Sequence, residues 1–259
     1  MNGMTRRELL AKVPAIAATA AIASRVTLIA PRVAAASTHI RIDEAIGTSV
    51  QGNQIVASRL VPVAASRRVV VVGAIHGNEY VGASLVDALL ARTDLPADLE
   101  LVGVRALNPD GAAAGTRRNA RGVDLNRNFP VAWGLKTAGM RTGDAGQFPL
   151  SEPEAASIAA MCTSMAASMP TVFVWVHSPL GWVAPIGPDP AAGWHATQWA
   201  HAARLRLRRV TRVPGGAETF CATLPSPTES GTAGSVLVEA KGWGIDPSRH
   251  VDGFRAAFG

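Results

Sequence analysis

Cysteine is scarce in this sequence, and this limits the covalent cross-links that the fold can contain. Only Cys162 and Cys221 occur among the 259 residues, so at most one disulfide can form. An exported protein can carry such a bond, but the sequence alone does not place the two Cα atoms within bonding range, and two unrelated buried thiols are the alternative. Internal repeats and linker-like segments are also lacking, so we expect a single domain with one core.

Net charge is low once the N-terminal segment is set aside. The whole chain carries a formal charge of +6. Residues 1–36 hold five basic residues and one acidic residue, so they supply four of these six charges and leave two for the rest. Because the charge of the remaining residues is nearly balanced, nucleic acid is not expected as a partner, although the sequence pI is about 10.3.

The N-terminal segment is typical of an export signal. Thr5-Arg6-Arg7-Glu8-Leu9-Leu10 resembles a twin-arginine signal, and a weakly apolar region rich in Ala and Ile follows it. Arg25 interrupts the apolar run and Pro31-Arg32 ends it. The sequence therefore favours a transient contact with the membrane through the signal over a retained spanning helix.

A cleavage site is expected directly after this segment. The small residues Ala34-Ala35-Ala36 fit the pattern, and no cysteine lies nearby that would carry a lipid. We therefore predict a signal peptide at residues 1–36 and a folded domain at residues 37–259. The predicted location is the periplasm, the cell wall or the extracellular space.

Runs of β-branched residues alternate with amphipathic segments along the rest of the chain. Ser151-Glu152-Pro153-Glu154 is typical of a capping box at a helix start, and the arginines at 204–212 are interpreted as a solvated helix face. The alternation predicts an α/β fold, a single domain with a mixed, twisted β-sheet flanked by helices. The predicted strands span His39–Ile42, Ile55–Val61, Arg67–Val72, Leu99–Ala106, Thr171–Val176 and Ser235–Val238, and the predicted helices span Glu79–Ala91, 151–167, 191–212 and 248–258.

Side chains that suit zinc follow the ends of two predicted strands. The turn after residues 67–72 delivers His76 and Glu79 together, and His177 follows residues 171–176 directly. Ligand sites in α/β sheets gather at the carboxyl ends of strands, and a catalytic zinc takes three N or O ligands and leaves one position for water. Each of these residues alone is more often an ordinary core or surface residue. Together they predict a zinc site.

The segment at residues 116–130, Thr-Arg-Arg-Asn-Ala-Arg-Gly-Val-Asp-Leu-Asn-Arg-Asn-Phe-Pro, carries a family resemblance. With His76-Gly-Asn-Glu79, Asn108-Pro-Asp-Gly111, Ser151-Glu-Pro-Glu154 and Val176-His-Ser178, it resembles the zinc carboxypeptidase family, and within it the bacterial murein peptide amidases. Those enzymes act on the bond between γ-D-glutamate and meso-diaminopimelate in cell-wall peptides. The resemblance covers about residues 45–245 and implies a zinc-carboxypeptidase-like catalytic domain.

The resemblance implies a role for each residue of the metal site. His76, Glu79 and His177 would bind one Zn²⁺ ion. Asp124 would hydrogen-bond the far nitrogen of His76 and fix its tautomer.

It also implies the residues that would act on the substrate. Glu239 would be the general base for the zinc-bound water, and it would then return the proton to the leaving amine. Arg117 would stabilise the oxyanion, with Arg118 as the alternative because the two arginines are adjacent. Asn126 and Arg127 would hold the carboxylate of the leaving residue.

Two other functions stay open. The digestive carboxypeptidases of this family place a mobile tyrosine over the substrate, whereas this chain has one tyrosine, Tyr80, beside the zinc motif. The expected substrate is therefore a peptidoglycan-derived peptide, and a carboxypeptidase for ordinary peptide C-termini is the first alternative. The second is a non-catalytic, zinc-containing protein that binds the cell wall. Glu229 and Ser230 are further candidates for the wall of the pocket that takes the leaving residue.

Overall fold

The longest β-branched runs of the sequence form the middle of a mixed β-sheet with helices on both faces. This is seen in a computed structural model, which describes residues 39–136 and 144–259 of the chain. The predicted signal peptide at residues 1–36 lies outside the described residues. Among the described residues, no helix has the length and apolar character needed to cross a membrane.

Eight strands form the sheet, in the order β1-β2-β4-β3-β5-β8-β6-β7. The strands are β1 (His39–Thr48), β2 (Gln54–Pro62), β3 (Arg67–Val72), β4 (Leu99–Val104), β5 (Thr171–His177), β6 (Leu180–Ile186), β7 (Arg206–Leu207) and β8 (Gly234–Lys241). The helices are α1 (Val81–Leu90), α2 (Pro109–Ala114), α3 (Pro153–Ser168), α4 (Pro190–Ala202), α5 (Ala217–Cys221) and α6 (Ser248–Phe258), and Leu125–Arg127 forms a 3-10 turn. The predicted α/β class with a mixed sheet is confirmed.

The central strands are buried on both faces. In β3, Val70 and Val72 pack on one side with α3 and α5, whereas Val69 and Val71 pack on the other side with α1, α4 and α6. This alternation follows from the period of two along a strand. A strand covered by helices on both faces must be apolar at nearly every position, which explains its run of valines.

The parallel part of the sheet brings the candidate site residues to one edge. β4, β3, β5 and β8 are parallel neighbours, so their carboxyl ends lie side by side. His76 follows β3, His177 ends β5, and Glu239 of β8 pairs in register with His177. The antiparallel strands β1, β2 and β6 extend the sheet on its two sides.

Several predicted elements are confirmed and some boundaries move. The first two predicted strands form the antiparallel pair β1–β2, the strand at Arg67–Val72 has the predicted bounds, and the terminal helix is α6. α1 begins at Val81, two residues after Glu79, so Glu79 lies in the turn before the helix. The motif Asn108-Pro-Asp-Gly111 forms the start of α2, whose first turn is capped by the Asn108 side chain accepting from Gly111 N at 2.9 Å.

The capping box predicted at Ser151 is wrong. The residue that precedes α3 is Glu152, and it makes no side-chain capping bond. The Ser151 hydroxyl bonds instead with Asn128 and Glu152, and Glu154 accepts from Val50 N at 3.1 Å. The polar groups around this helix start are therefore used to hold neighbouring loops.

The helix predicted at 191–212 is too long. α4 ends at Ala202, and Arg204 takes a positive φ of 54° that stops the helix. Arg206 lies in β7, which pairs with β6, so the interpretation of the arginines as a helix face is wrong. β6 and α5 were not predicted.

Both cysteines are free and buried. Cys162 lies on α3 and Cys221 on α5, and both belong to the same core cluster. Burial raises the pKa of the Cys221 thiol, and the adjacent Cys162 thiol raises it further. The alternative of two buried thiols without a disulfide is therefore confirmed, although the two thiols are neighbours in the core.

Candidate metal centre and substrate cleft

Three buried side chains meet at the carboxyl end of the parallel strands. His76 and Glu79 come from the turn between β3 and α1, and His177 is the last residue of β5. Each is only 2–3% exposed. The turn lies so close to the backbone of Gly111 that a Cβ at Gly77 would clash with it. A glycine is therefore required between the two candidate ligands. Strand pairing and this close approach together place the three residues.

The polar atoms of these residues converge on one another. His76 Nδ1 is 2.8 Å from Glu79 Oε1, and His177 Nδ1 is 3.1 Å from Glu79 Oε2. The two Nδ1 atoms are 3.1 Å apart. Tetrahedral zinc with bonds of about 2.0 Å to nitrogen would separate two such ligand atoms by about 3.3 Å. Two imidazole nitrogens and a carboxylate at these separations fit a metal ion.

The electrostatics of the centre also favour a bound cation. Burial alone would lower the pKa of His177, but the carboxylates of Glu218 and Glu79 raise it to about 10. Burial would raise the pKa of Glu79, but its bonds to His177 and His76 hold it well below the usual range. The site therefore stabilises positive charge, which a proton or a metal ion can provide.

Asp124 lies behind His76, in the position that the resemblance implied. Its Oδ1 is 3.0 Å from His76 Nε2, the nitrogen that faces away from Glu79. Burial would raise the pKa of Asp124, but the bond with His76 and the charges of Arg117 and Arg127 keep it well below the usual range. An ionised carboxylate here selects the His76 tautomer that has a free electron pair on Nδ1.

The two adjacent arginines point to different partners. Arg117 bonds Asp124 Oδ2 at 3.0 Å, contacts Glu79 Oε1 at 3.3 Å and is 39% exposed in the cleft. Arg118 donates to Asp144 Oδ1 at 2.7 Å. The structure thus brings Arg117, and not Arg118, to the candidate metal centre.

Asn126 and Arg127 lie in the 3-10 turn at the cleft wall. The Asn126 carboxamide is already bonded at both ends, since Nδ2 donates to Glu218 Oε1 at 3.0 Å and Oδ1 accepts from Ala217 N at 2.8 Å. Arg127 donates from Nη1 to the Asn126 carbonyl at 2.7 Å, and its Nε has no hydrogen-bond partner among the described residues. Of the two predicted carboxylate-binding residues, Arg127 has the freer donors.

Glu239 faces the candidate ligands from β8. Its closest backbone partner is Leu180 N, at 3.5 Å from Oε2, so the carboxylate is loosely held. Burial raises the pKa of Glu239, and the carboxylate of Glu79 adds to this rise against the opposing charge of His177. A carboxyl group with a raised pKa binds a proton more readily than a solvated one, which suits a group that accepts a proton and later donates it.

A cavity of about 470 Å³ is lined by the three candidate ligands and by Arg117, Asn126, Arg127 and Glu239. Asp124 and Arg118 are not among the lining residues. Its apolar walls include Leu180, Trp182, Val213 and Trp243. Trp182 therefore lines the cleft, with the Arg208 guanidinium 5.8 Å from its ring centre. The chain's one tyrosine, Tyr80, bonds the Ala112 carbonyl and is not among the lining residues.

The lining of the cavity lacks two residues that were predicted to form its wall and includes one that was not predicted. Glu229 is exposed, Ser230 bonds Asp189, and neither lines the cavity, so that suggestion is wrong. The acidic residue at this wall is Glu218 of α5, which is 1% exposed. Local sequence carries little signal for Glu218, since α5 has five residues and no resolvable periodicity.

Comparison with known proteins agrees with this geometry. The family model for zinc carboxypeptidase matches residues 33–184. Murein peptide amidase A of Escherichia coli K12 is 32% identical over 197 residues, covering 69% of this chain and 77% of that protein. Murein peptide amidase A of Vibrio campbellii is 30% identical over 152 residues, covering 53% of this chain and 58% of that protein.

Solved structures share the fold. Carboxypeptidase A from Helicoverpa armigera has a TM-score of 0.69 at 19% identity and covers 84% of this chain and 68% of its own. Murein-tripeptide amidase from Escherichia coli O157 has a TM-score of 0.59 at 25% identity, and the match covers 83% of this chain and 90% of that chain. The chain therefore belongs to the zinc carboxypeptidase family, as its motifs implied, and is a hydrolase with zinc as its cofactor.

Proposed function

We propose that this protein is an exported amidase that cleaves the bond between γ-D-glutamate and meso-diaminopimelate in peptidoglycan-derived peptides. The observation that carries the proposal is the cleft itself, in which Glu239, Arg117 and Arg127 surround the three candidate zinc ligands. The murein peptide amidases among the relatives support the substrate class.

His76, Glu79 and His177 would hold the zinc ion through the atoms that converge in the structure. Bound zinc supplies Lewis-acid chemistry, which lowers the pKa of a water molecule and polarises a carbonyl oxygen. The protein's own contribution is to fix the ligands and to place acid–base and cationic groups around the scissile amide.

Glu239 would move the proton that the reaction transfers. Its carboxylate accepts a proton from the attacking water, whose oxygen bonds to the amide carbon, and passes that proton to the nitrogen as the C–N bond breaks. The raised pKa of Glu239 suits this role, because it makes the carboxylate a stronger base than that of a solvated glutamate.

Two arginines would bind the charges of the substrate and the transition state. Arg117 reaches the candidate ligand Glu79, so its guanidinium can stabilise negative charge on the carbonyl oxygen. Arg127 has a buried Nε that is unpaired among the described residues and can donate to the carboxylate of the leaving residue. Asn126 would act mainly by holding this turn against α5.

The test uses the purified full chain loaded with zinc and the tripeptide L-Ala-γ-D-Glu-meso-diaminopimelate. Mass spectrometry should detect free diaminopimelate, and a chelator or the Glu239→Gln substitution should abolish its release. Glu229→Gln is the matched control, because Glu229 is exposed and does not line the cleft.

Three results would redirect the proposal. Turnover of ordinary L-peptides but not of the tripeptide would establish the carboxypeptidase alternative. Tripeptide binding without turnover, unchanged by Glu239→Gln, would establish a wall-binding protein. Failure to bind zinc would remove the basis of the mechanism.

We also propose export by the twin-arginine route, with cleavage before Ser37. The support is Arg6-Arg7 followed by a weakly apolar region and Ala34-Ala35-Ala36. Replacing Arg6 and Arg7 with lysine should leave the full-length protein inside the cell, whereas Lys12→Arg should not. Export of the double-lysine variant at the normal level would exclude this route.

A further inference from the structure

The two candidate histidine ligands are presented in the same way. Each turns Nδ1 toward Glu79, which leaves Nε2 directed away from the centre. A neutral imidazole carries one proton, so Nδ1 can bind a metal only if that proton is on Nε2. For His76 the Asp124 carboxylate provides the acceptor at Nε2, 3.0 Å away. His177 needs an equivalent acceptor at its own Nε2.

Glu218 is the group beside the second imidazole. Its Oε1 lies 3.5 Å from His177 Nε2, and both residues are at most 3% exposed. His177 Nε2 has no hydrogen bond among the described residues, and neither does Glu218 Oε2. A buried N–H that lacks a partner and a buried carboxylate that faces it form a strong pair once they close to hydrogen-bond distance, and Oε1 can accept this bond beside the one from Asn126 because a carboxylate oxygen has two lone pairs.

The position of Glu218 is fixed by the loop that leads into α5. Gly215 has a φ of +64°, and its Cα packs so closely on the Arg127 carbonyl that a Cβ would clash with it. A Cβ on Gly216 would be 2.6 Å from Glu218 Oε2. The two glycines therefore allow the carboxylate to lie between the loop and His177.

Glu218 also contacts the substrate side of the cleft. The same Oε1 accepts from Asn126 Nδ2 at 3.0 Å, and Ala217 N donates back to Asn126 Oδ1 at 2.8 Å. One carboxylate oxygen thus lies between a candidate zinc ligand and the turn that carries Arg127.

We propose that Glu218 is a positioning residue of the metal centre, which holds His177 as Asp124 holds His76 and connects that ligand to the Asn126–Arg127 turn. It fixes the Nε2–H tautomer, so that the Nδ1 electron pair faces the metal. The inference rests on the zinc cofactor and the geometry, and it is independent of the peptide that the enzyme cleaves.

The test measures zinc affinity by competition with a chromogenic chelator, using the full chain. Glu218→Gln keeps the shape of the side chain and removes its charge, and it should raise the zinc Kd about 10- to 100-fold, as loss of such a partner does in other metal sites. Asp124→Asn should do the same. Glu229→Gln is the control and should leave the Kd unchanged.

A merely structural role would give a different result. In that case Glu218→Gln would lower the melting temperature of the zinc-free protein and leave the zinc Kd at the wild-type value, which overturns the proposal. Glu218→Asp keeps the charge and shortens the reach, so it should also raise the Kd and serves if the Gln variant does not fold. If neither variant folds, Glu218 is a residue of the core and the proposal fails. If wild-type protein itself does not bind zinc, the proposed function fails first.

Discussion

Two regions on opposite sides of β5 build the site by different means. Residues 67–104, which contain β3, α1 and β4, are held by parallel strands buried on both faces. Residues 178–221 contain β6 and β7, which lie beyond β8, and α4 and α5, which pack on the two faces of the sheet. They are joined by antiparallel β6–β8 pairing, parallel β6–β7 pairing and polar contacts. The first region supplies two candidate ligands, and the second supplies the cleft wall with Glu218 and Trp182. The centre of the sheet thus provides the ligands, and the second region provides Glu218 beside one of them.

The largest effect is expected in the turn of the first region. Gly77→Ala would force the turn away from Gly111, because no space exists for the Cβ. The shift of His76 relative to Glu79 should weaken zinc binding and lower kcat/KM about 100-fold or more, as misplacements of about 1 Å do. Chelator competition measures the zinc affinity, and tripeptide turnover measures kcat/KM. Wild-type zinc affinity in a folded Gly77→Ala protein would show that the turn is not a rigid support.

A buried ion pair tests the stability of the same region. Glu100 of β4 is 1% exposed and pairs with Arg68 at 2.8 Å and Arg59 at 2.6 Å. Glu100→Gln leaves buried guanidinium charge without its counter-ion, and we expect a loss of about 3 kcal/mol in unfolding free energy. Urea denaturation gives the value.

Its matched control is the exposed pair of Asp87, on α1 of the same region, and Arg105, which directly follows β4. Asp87→Asn should cost less than about 1 kcal/mol, because both side chains are in solvent. Equal losses for the two substitutions would contradict the importance of burial in this region.

The ease of prediction from sequence also differs between the two regions. β3 has the predicted bounds because a strand buried on both faces must be a continuous apolar run, which is visible locally. β6 contains Gly181 and Pro185, and it is a strand because it pairs with β8, a contact that the local sequence does not reveal. The motifs located the candidate ligands, whereas Glu218 depends on how α5 packs.

The end of α4 shows a further limit of sequence patterns. Arg204 N bonds the His201 carbonyl and Leu205 N bonds the Ala200 carbonyl, which together form a Schellman motif. Glycine is the usual residue at the left-handed position of this motif, and here Arg204 occupies it with a φ of 54°. The helix end was therefore missed because its usual marker is absent.

A buried histidine makes the packing of α6 against α4 sensitive to acid. His250 is 3% exposed and accepts from Trp199 Nε1 at 3.4 Å. Burial and the charge of Arg249 lower the pKa of His250 to about 4, although the charge of Asp246 opposes this shift. The unfolded chain binds this proton more readily, so the contribution to stability is complete above about pH 6.5 and is lost as the pH falls toward 4.

The expected loss from this residue is about 3 kcal/mol between pH 7 and pH 4. His250→Gln should remove that part of the pH dependence, and His201→Gln, at an exposed position of α4, should not. Unfolding free energies measured in chelator exclude any contribution from zinc. Parallel pH curves for wild type and His250→Gln would show that His250 does not titrate in this range.

The smallest effect is expected in the second region and has the opposite sign. Gly193 lies inside α4 with open space where a Cβ would project, so Gly193→Ala gains helix propensity without a clash. We expect about 1 kcal/mol of added stability and a rise of about 2–4 °C in Tm, with zinc affinity unchanged. Gly231→Ala is the control, because it also has open space but a φ of +72°, and it should destabilise the protein. Since only backbone conformation distinguishes these two sites, equal Tm shifts would show that helix propensity does not limit the stability of the periphery.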